Sequence, residues 1–300
     1  MNQNGLVMSG FGGFYQVRLE DGSLVECKPR GRLKKSFSKI YPGDNVAISL
    51  LPEGKGMVEE IFPRKALLQR PNIANLSKVI IILSWDMPAY DLLLLDRMLI
   101  IAKAAGVSPL ICFNKIDMMR PEEKPVFNAI KAAYEHAGYD FFAVSIFDNA
   151  SVLALRQHLQ GGISVFAGPS GVGKSSLLNI ILAGDFAETG LVSDRLRRGR
   201  HTTRYATLLP LGETAEKGFI GDTPGFFTLD IPDSIPRLEL PSFYEEFLAC
   251  GPCRFESCMH HKEPDCTVKE AFSLGKLDNG RYERYLRILE EIESREVKYR

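Results

Sequence analysis

Residues 168–176 read Gly-Pro-Ser-Gly-Val-Gly-Lys-Ser-Ser and fit the pattern G-x-x-x-x-G-K-[ST] at every fixed position. This stretch restricts the fold more than any other in the chain. The pattern requires a strand before it and a helix after it, so that glycines can turn the backbone and bring successive amide N–H groups and a helix N-terminus around a phosphate. Both flanks comply. Residues 163–167 (Ile-Ser-Val-Phe-Ala) are an apolar run, and residues 176–182 carry apolar side chains at helical spacing. Gly168, Ser170, Gly171, Val172, Gly173, Lys174, Ser175 and Ser176 are the predicted phosphate-binding residues. Lys174 is expected to reach the β and γ phosphates. Ser175 would offer its hydroxyl to Mg²⁺, a hard ion that takes oxygen ligands and arrives with the nucleotide.

Upstream of the loop, strand-like and helical patterns alternate, which predicts a P-loop domain of the α/β class. Residues 79–83 form a continuous apolar run suited to a strand covered on both faces. Helices are predicted at 91–105, 121–138 and 151–160, and strands at 110–113 and 141–145. The strand at 110–113 ends in Asn114-Lys115-Ile-Asp117. Next to a P-loop this tetrapeptide has a chemical meaning. The Asp117 carboxylate can accept from N1–H and the exocyclic amine of guanine, a pair adenine does not present, so guanine is predicted over adenine. Asn114 would brace the loop and touch the N7/O6 edge, and the stem of Lys115 would lie across the base. Ser145-Ile146, at the end of the next strand, falls where a backbone N–H would meet guanine O6.

Downstream, residues 191–204 are polar and basic without periodicity, as suits a switch loop. Thr202 and Thr203 supply the hydroxyls that could complete a Mg²⁺ shell, and Thr203 is favoured. A strand at 207–211 and a second one ending in Asp222-Thr-Pro-Gly225 follow. Asp222 would hold Mg²⁺ through water, and the Gly225 amide would sense the γ-phosphate. An ordinary small GTPase presents the P-loop first and N-K-x-D last. Here N-K-x-D comes first, as though the chain had been cut between D-x-x-G and N-K-x-D and rejoined elsewhere, which a packed sheet tolerates when the termini fall in surface connections.

The flanks differ in kind. Residues 5–63 contain several short strand patterns separated by turns, which predicts a small closed barrel of OB type. Its basic cluster, Lys28, Arg30, Arg32, Lys34, Lys35 and Lys39 with Phe37 and Tyr41 nearby, suits contact with a nucleic-acid backbone and stacking on bases. A solvated loop would have the same composition. Residues 63–71, bounded by prolines, read as a linker. Toward the C-terminus, Cys253, Cys258, His260 and Cys266 have the composition of a closed structural zinc site, with Cys250 and His261 as competing ligands. A charged helix beginning near Asn279 carries Tyr282, Tyr285, Leu286, Leu289 and Ile292 as an apolar stripe. Lys+Arg and Asp+Glu both number 37, which argues against binding nucleic acid by bulk charge alone. No membrane-length apolar run and no signal peptide are evident, so a cytoplasmic protein is expected.

Taken in order, the barrel, N-K-I-D, G-P-S-G-V-G-K-S-S, G-R-H-T-T, D-T-P-G and C-x4-C-x-H-x5-C resemble the RsgA (YjeQ/YloQ) family of circularly permuted GTPases over essentially the full chain. The resemblance implies an OB-fold RNA-binding domain at 1–64, a permuted GTPase domain at 65–234 and a mainly helical zinc-binding domain at 235–300. It also implies a monomeric GTPase that binds GTP and GDP, acts late in assembly of the 30S ribosomal subunit, binds 16S rRNA and is stimulated by the subunit. One structural zinc at Cys253, Cys258, His260 and Cys266 is implied, together with Mg²⁺ at Ser175 and Thr203. Phe226 and Phe227 stand where many GTPases carry the glutamine that orients water, and the resemblance implies that His201 takes that role beside Lys174 and Thr203. The chain departs from the family pattern at residues 75–78 and at Ile146. A guanine-nucleotide-dependent RNA-binding switch, with hydrolysis incidental, is the alternative reading.

Overall fold

The computed structural model describes residues 2–31, 39–69, 72–186, 206–212, 214, 217–222 and 231–298. Strands β1 (Asn2–Phe11), β2 (Phe14–Leu19), β3 (Leu24–Pro29), β4 (Asn45–Leu50) and β5 (Lys55–Ile61) pair in the order β1-β2-β3-β5-β4. A second ladder between β1 and β4 closes them into a barrel, as the short strands and turns predicted. Val7, Val17, Val25, Val46, Ile48 and Val58 fill its interior. Closure removes the free edges that an open sheet of these strands would present.

The passage at 63–71, expected as a linker, is anchored rather than loose. It contains β6 (Leu67–Gln69), which pairs with β7 (Asn72–Ala74), and Leu68 is buried. Arg64 forms two hydrogen bonds to the fully buried Asp44, at 2.6 and 2.9 Å. Asn75 anchors the passage from its far side. It sits in the left-handed region at φ 54°, where its carboxamide accepts from Lys65 N and donates to Gly43 O, both at 2.8 Å. A short amide side chain tolerates that backbone and ties the segment to the barrel.

The alternating pattern then yields β8 (Leu76–Ser84), α1 (Leu92–Ala104), β9 (Ser108–Asn114), α2 (Lys124–His136), β10 (Phe141–Val144), α3 (Asn149–His158), β11 (Ile163–Ala167), α4 (Lys174–Phe186), β12 (Thr207–Pro210) and β13 (Phe219–Asp222). The sheet runs β10-β9-β8-β11-β13-β12, parallel except at β12. Strand alternation divides β8 between two cores. Val79, Ile81 and Leu83 pack with Leu95, Met98 and Leu99 of α1 and Phe127 of α2, while Ile80 and Ile82 pack with Val152 and Leu155 of α3 and Leu177 and Ile181 of α4. Asp91 fixes where α1 begins, accepting from the backbone N–H of Leu93 and Leu94 at 2.8 and 3.1 Å. A bridge at Ser9 and Thr207 makes barrel and sheet one hydrogen-bonded surface.

Helices α5 (Glu245–Leu248), α6 (Thr267–Ser273) and α7 (Asn279–Lys298) complete the chain. The stripe on α7 is buried at Tyr282, Tyr285, Leu289 and Ile292, and it packs with Tyr244, Phe247 and Leu240. Ile100 and Ile101 on the outer side of α1 belong to the same cluster, so this helical part is seated directly on the α/β layer. No helix among the described residues is long and apolar enough to cross a membrane.

Candidate nucleotide site and metal centre

Parallel β9, β10 and β11 end on one edge of the sheet, and the three motifs stand there together. Ligands of open α/β sheets bind at the carboxyl ends of such strands. The loop after β11 is shaped by its neighbours as well as its sequence. Gly168 has φ +137°, and a Cβ on it would lie 2.1 Å from Ile82 O, so the backbone passes β8 too closely for any side chain. Gly173 has φ +94°, and its Cβ would come 2.4 Å from the Asn114 amide nitrogen.

That second contact shows what Asn114 does. Its buried side chain donates from Nδ2 to Val172 O at 2.9 Å, bracing the loop as predicted. Lys115, at φ 61°, donates from Nζ to Gly171 O at 2.9 Å and to Met87 O. The Asn-Lys pair therefore grips the phosphate loop from two sides. Lys174 curls over the same loop and donates to Gly168 O at 2.8 Å and Pro169 O at 2.6 Å; burial lowers its pKa. Ser170, Ser175 and Ser176 are exposed at the loop and the first turn of α4, Val172 is buried beneath, and the Ser175 hydroxyl is a hard oxygen donor of the kind Mg²⁺ takes.

Asp117 is exposed on the turn after β9, and the Ser145 hydroxyl donates to its Oδ1 at 2.6 Å. The Ser145 oxygen in turn accepts from Phe147 N at 3.1 Å. Of the Ser145-Ile146 pair, expected to bring an N–H to the base, the Ser145 amide donates at 3.3 Å to Ser151 Oγ. Ser145 thus orients Asp117 through its side chain. Sequence reasoning missed that role, although a serine following the next strand was the available signal.

His201, Thr202, Thr203 and Gly225 lie outside the described residues, as do Arg32, Lys34, Lys35, Phe37, Phe226 and Phe227. Of Asp222 the backbone closes β13 opposite Thr207. Within the barrel, Arg30 pairs with Glu59, and Lys28 lies 4.6 Å from the centre of the Phe14 ring, so two cations of the basic cluster already have partners in the fold.

At the other end, Cys253, Cys258, His260 and Cys266 bring their ligand atoms within 4.8 Å of one another. The Cys253 and Cys266 sulfurs are 3.8 Å apart, and His260 Nδ1 is 3.6 Å from Cys253 Sγ and 3.3 Å from Cys266 Sγ. Tetrahedral coordination with metal–sulfur bonds of about 2.3 Å requires sulfurs about 3.8 Å apart, so the donors fit one small cation. Cys250 instead donates to Glu246 O at 3.2 Å, and the His261 backbone N–H donates to Glu263 at 3.0 Å. Neither joins the cluster. The loop is held from behind by α7. The Tyr282 hydroxyl donates to His260 O at 2.7 Å, and the Tyr285 hydroxyl donates to Met259 O.

The RsgA GTPase family model matches residues 61–232, and the RsgA N-terminal domain model matches residues 4–58. Proteins named small ribosomal subunit biogenesis GTPase RsgA share 43% identity over 290 residues in Ruminiclostridium cellulolyticum, covering 95% of this chain and 92% of that protein. In Caldanaerobacter subterraneus the identity is 41% over 293 residues, covering 97% and 96%. Among solved structures, YloQ, described as a circularly permuted GTPase, matches with a TM-score of 0.84 at 28% identity over 98% of this chain and 96% of its own. YjeQ from Thermotoga maritima matches with a TM-score of 0.84 at 32% identity, covering 97% and 99%. The Asn-Lys-x-Asp motif precedes the P-loop in the chain, yet both meet at one sheet edge, and the likeness runs almost from end to end: this chain belongs to the RsgA family of circularly permuted GTPases.

Proposed function

We propose that this protein hydrolyses GTP as an assembly factor of the small (30S) ribosomal subunit, acting as a cytoplasmic monomer on 16S rRNA. The observation that carries the reading is the grip of Asn114 and Lys115 on the P-loop, with Asp117 held out beside it by Ser145. That arrangement couples recognition of guanine to the geometry of the phosphate site. The near full-length relatives named for small-subunit biogenesis support the choice of target.

In this reading residues 1–64 bind RNA, 65–234 bind and hydrolyse GTP, and 235–300 hold one structural zinc at Cys253, Cys258, His260 and Cys266. Mg²⁺, held by Ser175 and Thr203, would neutralise charge on the phosphates. Lys174 and the loop amides stabilise charge on the transferring phosphoryl group, Asp222 and Gly225 respond to the γ-phosphate, and His201 orients the attacking water. With no glutamine after residues 222–225, turnover is expected to be slow in the isolated protein and faster on its target.

GTP hydrolysis measured with small subunits, with large subunits and with neither tests this. Stimulation by small subunits alone is expected; equal turnover in all three would overturn the assignment. Asp117→Asn tests the base. Losing one or more hydrogen bonds to a charged group, each worth about 1.5–3 kcal/mol, should weaken GTP binding about 10- to 150-fold. Xanthosine triphosphate, whose C2 carbonyl suits an amide donor, should gain. Unchanged discrimination in a nucleotide competition assay would remove Asp117 from the base site.

A further inference from the structure

The loop after β10 contains a side chain that the reading so far leaves without a task. Phe147 is 81% exposed, yet its backbone is fixed. Its N–H donates at 3.1 Å to the Ser145 hydroxyl, which itself donates at 2.6 Å to Asp117. A single oxygen therefore sets both the carboxylate that reads the base edge and the position of this ring's backbone. Asp148 steadies the far side of the loop, accepting from Ala150 N at the start of α3.

We infer that Phe147 stacks on the guanine base as an affinity-determining residue of the nucleotide site. The inference rests on the reading of Asp117 as the group that binds the guanine edge. A purine held edge-on by a carboxylate still has two faces in contact with water. The stem of Lys115 suits one of them, because its ammonium is anchored to Gly171 O and Met87 O. Phe147 is the aromatic residue of the 145–148 loop, and it is tethered two hydrogen bonds from Asp117. Stacking on an aromatic ring is favourable for any base and adds affinity without hydrogen-bond readout. Asp117 therefore supplies discrimination and Phe147 supplies affinity.

Equilibrium titration of the full-length protein with GDP and with ADP tests this, using wild type, Phe147→Ala and Phe147→Tyr. Phe147→Ala should weaken GDP binding about 5- to 100-fold, the range expected for losing one base–aromatic stack. Phe147→Tyr should retain wild-type affinity. The preference for GDP over ADP should persist in both, and the thermal unfolding midpoint should not move, since the ring is exposed. Wild-type GDP affinity in Phe147→Ala overturns the inference, including the case in which only association with small subunits weakens, which would make the ring a partner contact. Equal loss in the Tyr and Ala variants also overturns it. A wild-type protein that prefers ADP would instead refute the guanine reading of Asp117.

Discussion

Replacing Asp96 by alanine should destabilise the protein by about 3–5 kcal/mol, because it leaves buried cations without their counter-charge. Asp96 lies on α1 and is 1% exposed. Its Oδ1 accepts from Arg281 at 2.7 Å and from the Tyr134 hydroxyl at 2.8 Å, and its Oδ2 accepts from Arg284. Arg281 also donates to Glu246 at 2.6 Å, and its guanidinium lies 4.8 Å from the centre of the Tyr134 ring and 5.1 Å from that of Tyr244. Burial alone would lower the pKa of Arg281, but Asp96 and Glu246 outweigh it and hold the value well above the ordinary one. An arginine guanidinium is not deprotonated in proteins, so it cannot escape the loss of Asp96 by giving up its proton. Urea unfolding should show a large fall in midpoint for Asp96→Ala. Adding Arg281→Met alone should not restore stability, because it strips buried Glu246 of its partner; the triple variant Asp96→Ala, Glu246→Gln, Arg281→Met, which removes the three charges at the centre of the cluster, should recover part of it. A single variant within about 1 kcal/mol of wild type would show that water reaches the cluster and that the burial argument is wrong.

Loss of the zinc proposed at the Cys/His cluster should have an effect of comparable or greater size, confined at first to the C-terminal part. Burial pushes the Cys258 thiol up to about 12, so at neutral pH it becomes a thiolate only when a cation enforces it. We expect one zinc per chain by elemental analysis and loss of that zinc in Cys258→Ser. Hydrogen exchange should then rise across residues 253–266, where Cys266 also accepts the Lys269 N–H at the start of α6. Structural zinc sites contribute about 10–16 kcal/mol in small peptides, and part of that is replaced here by the apolar packing of Tyr244, Phe247 and Tyr285. GDP binding at the P-loop should survive chelation. A metal-free chain with unchanged exchange in this loop would overturn the zinc assignment.

The chemistry was legible where it is local. The P-loop, the Asn-Lys-x-Asp turn and the Cys/His spacing each occupy a few consecutive residues, and each folded into the neighbourhood its motif demands. The barrel was legible through strand and turn rhythm. What stayed hidden depends on residues far apart in the chain. Asp96, Glu246 and Arg281 read separately as ordinary surface charges, and only the fold brings them under one another. Residues 63–71 looked like a linker because prolines and charges dominate, while the partner of Arg64, Asp44, lies 20 residues earlier. The stripe on α7 was visible as apolar surface, but the use of its tyrosine hydroxyls was not, since periodicity reports burial and says nothing about which carbonyl a hydroxyl will find.

Helix α7 uses neighbouring positions for two different purposes. Arg281 and Arg284 reach α1, and Tyr282 and Tyr285 reach the carbonyls of the metal loop. Because both sets lie within about one helical turn, α7 cannot roll to release one without dragging the other out of register. The helix is thus pinned at two angles. A tilt of α1 would therefore pull at once on the turn of α7 that also holds the Cys/His loop.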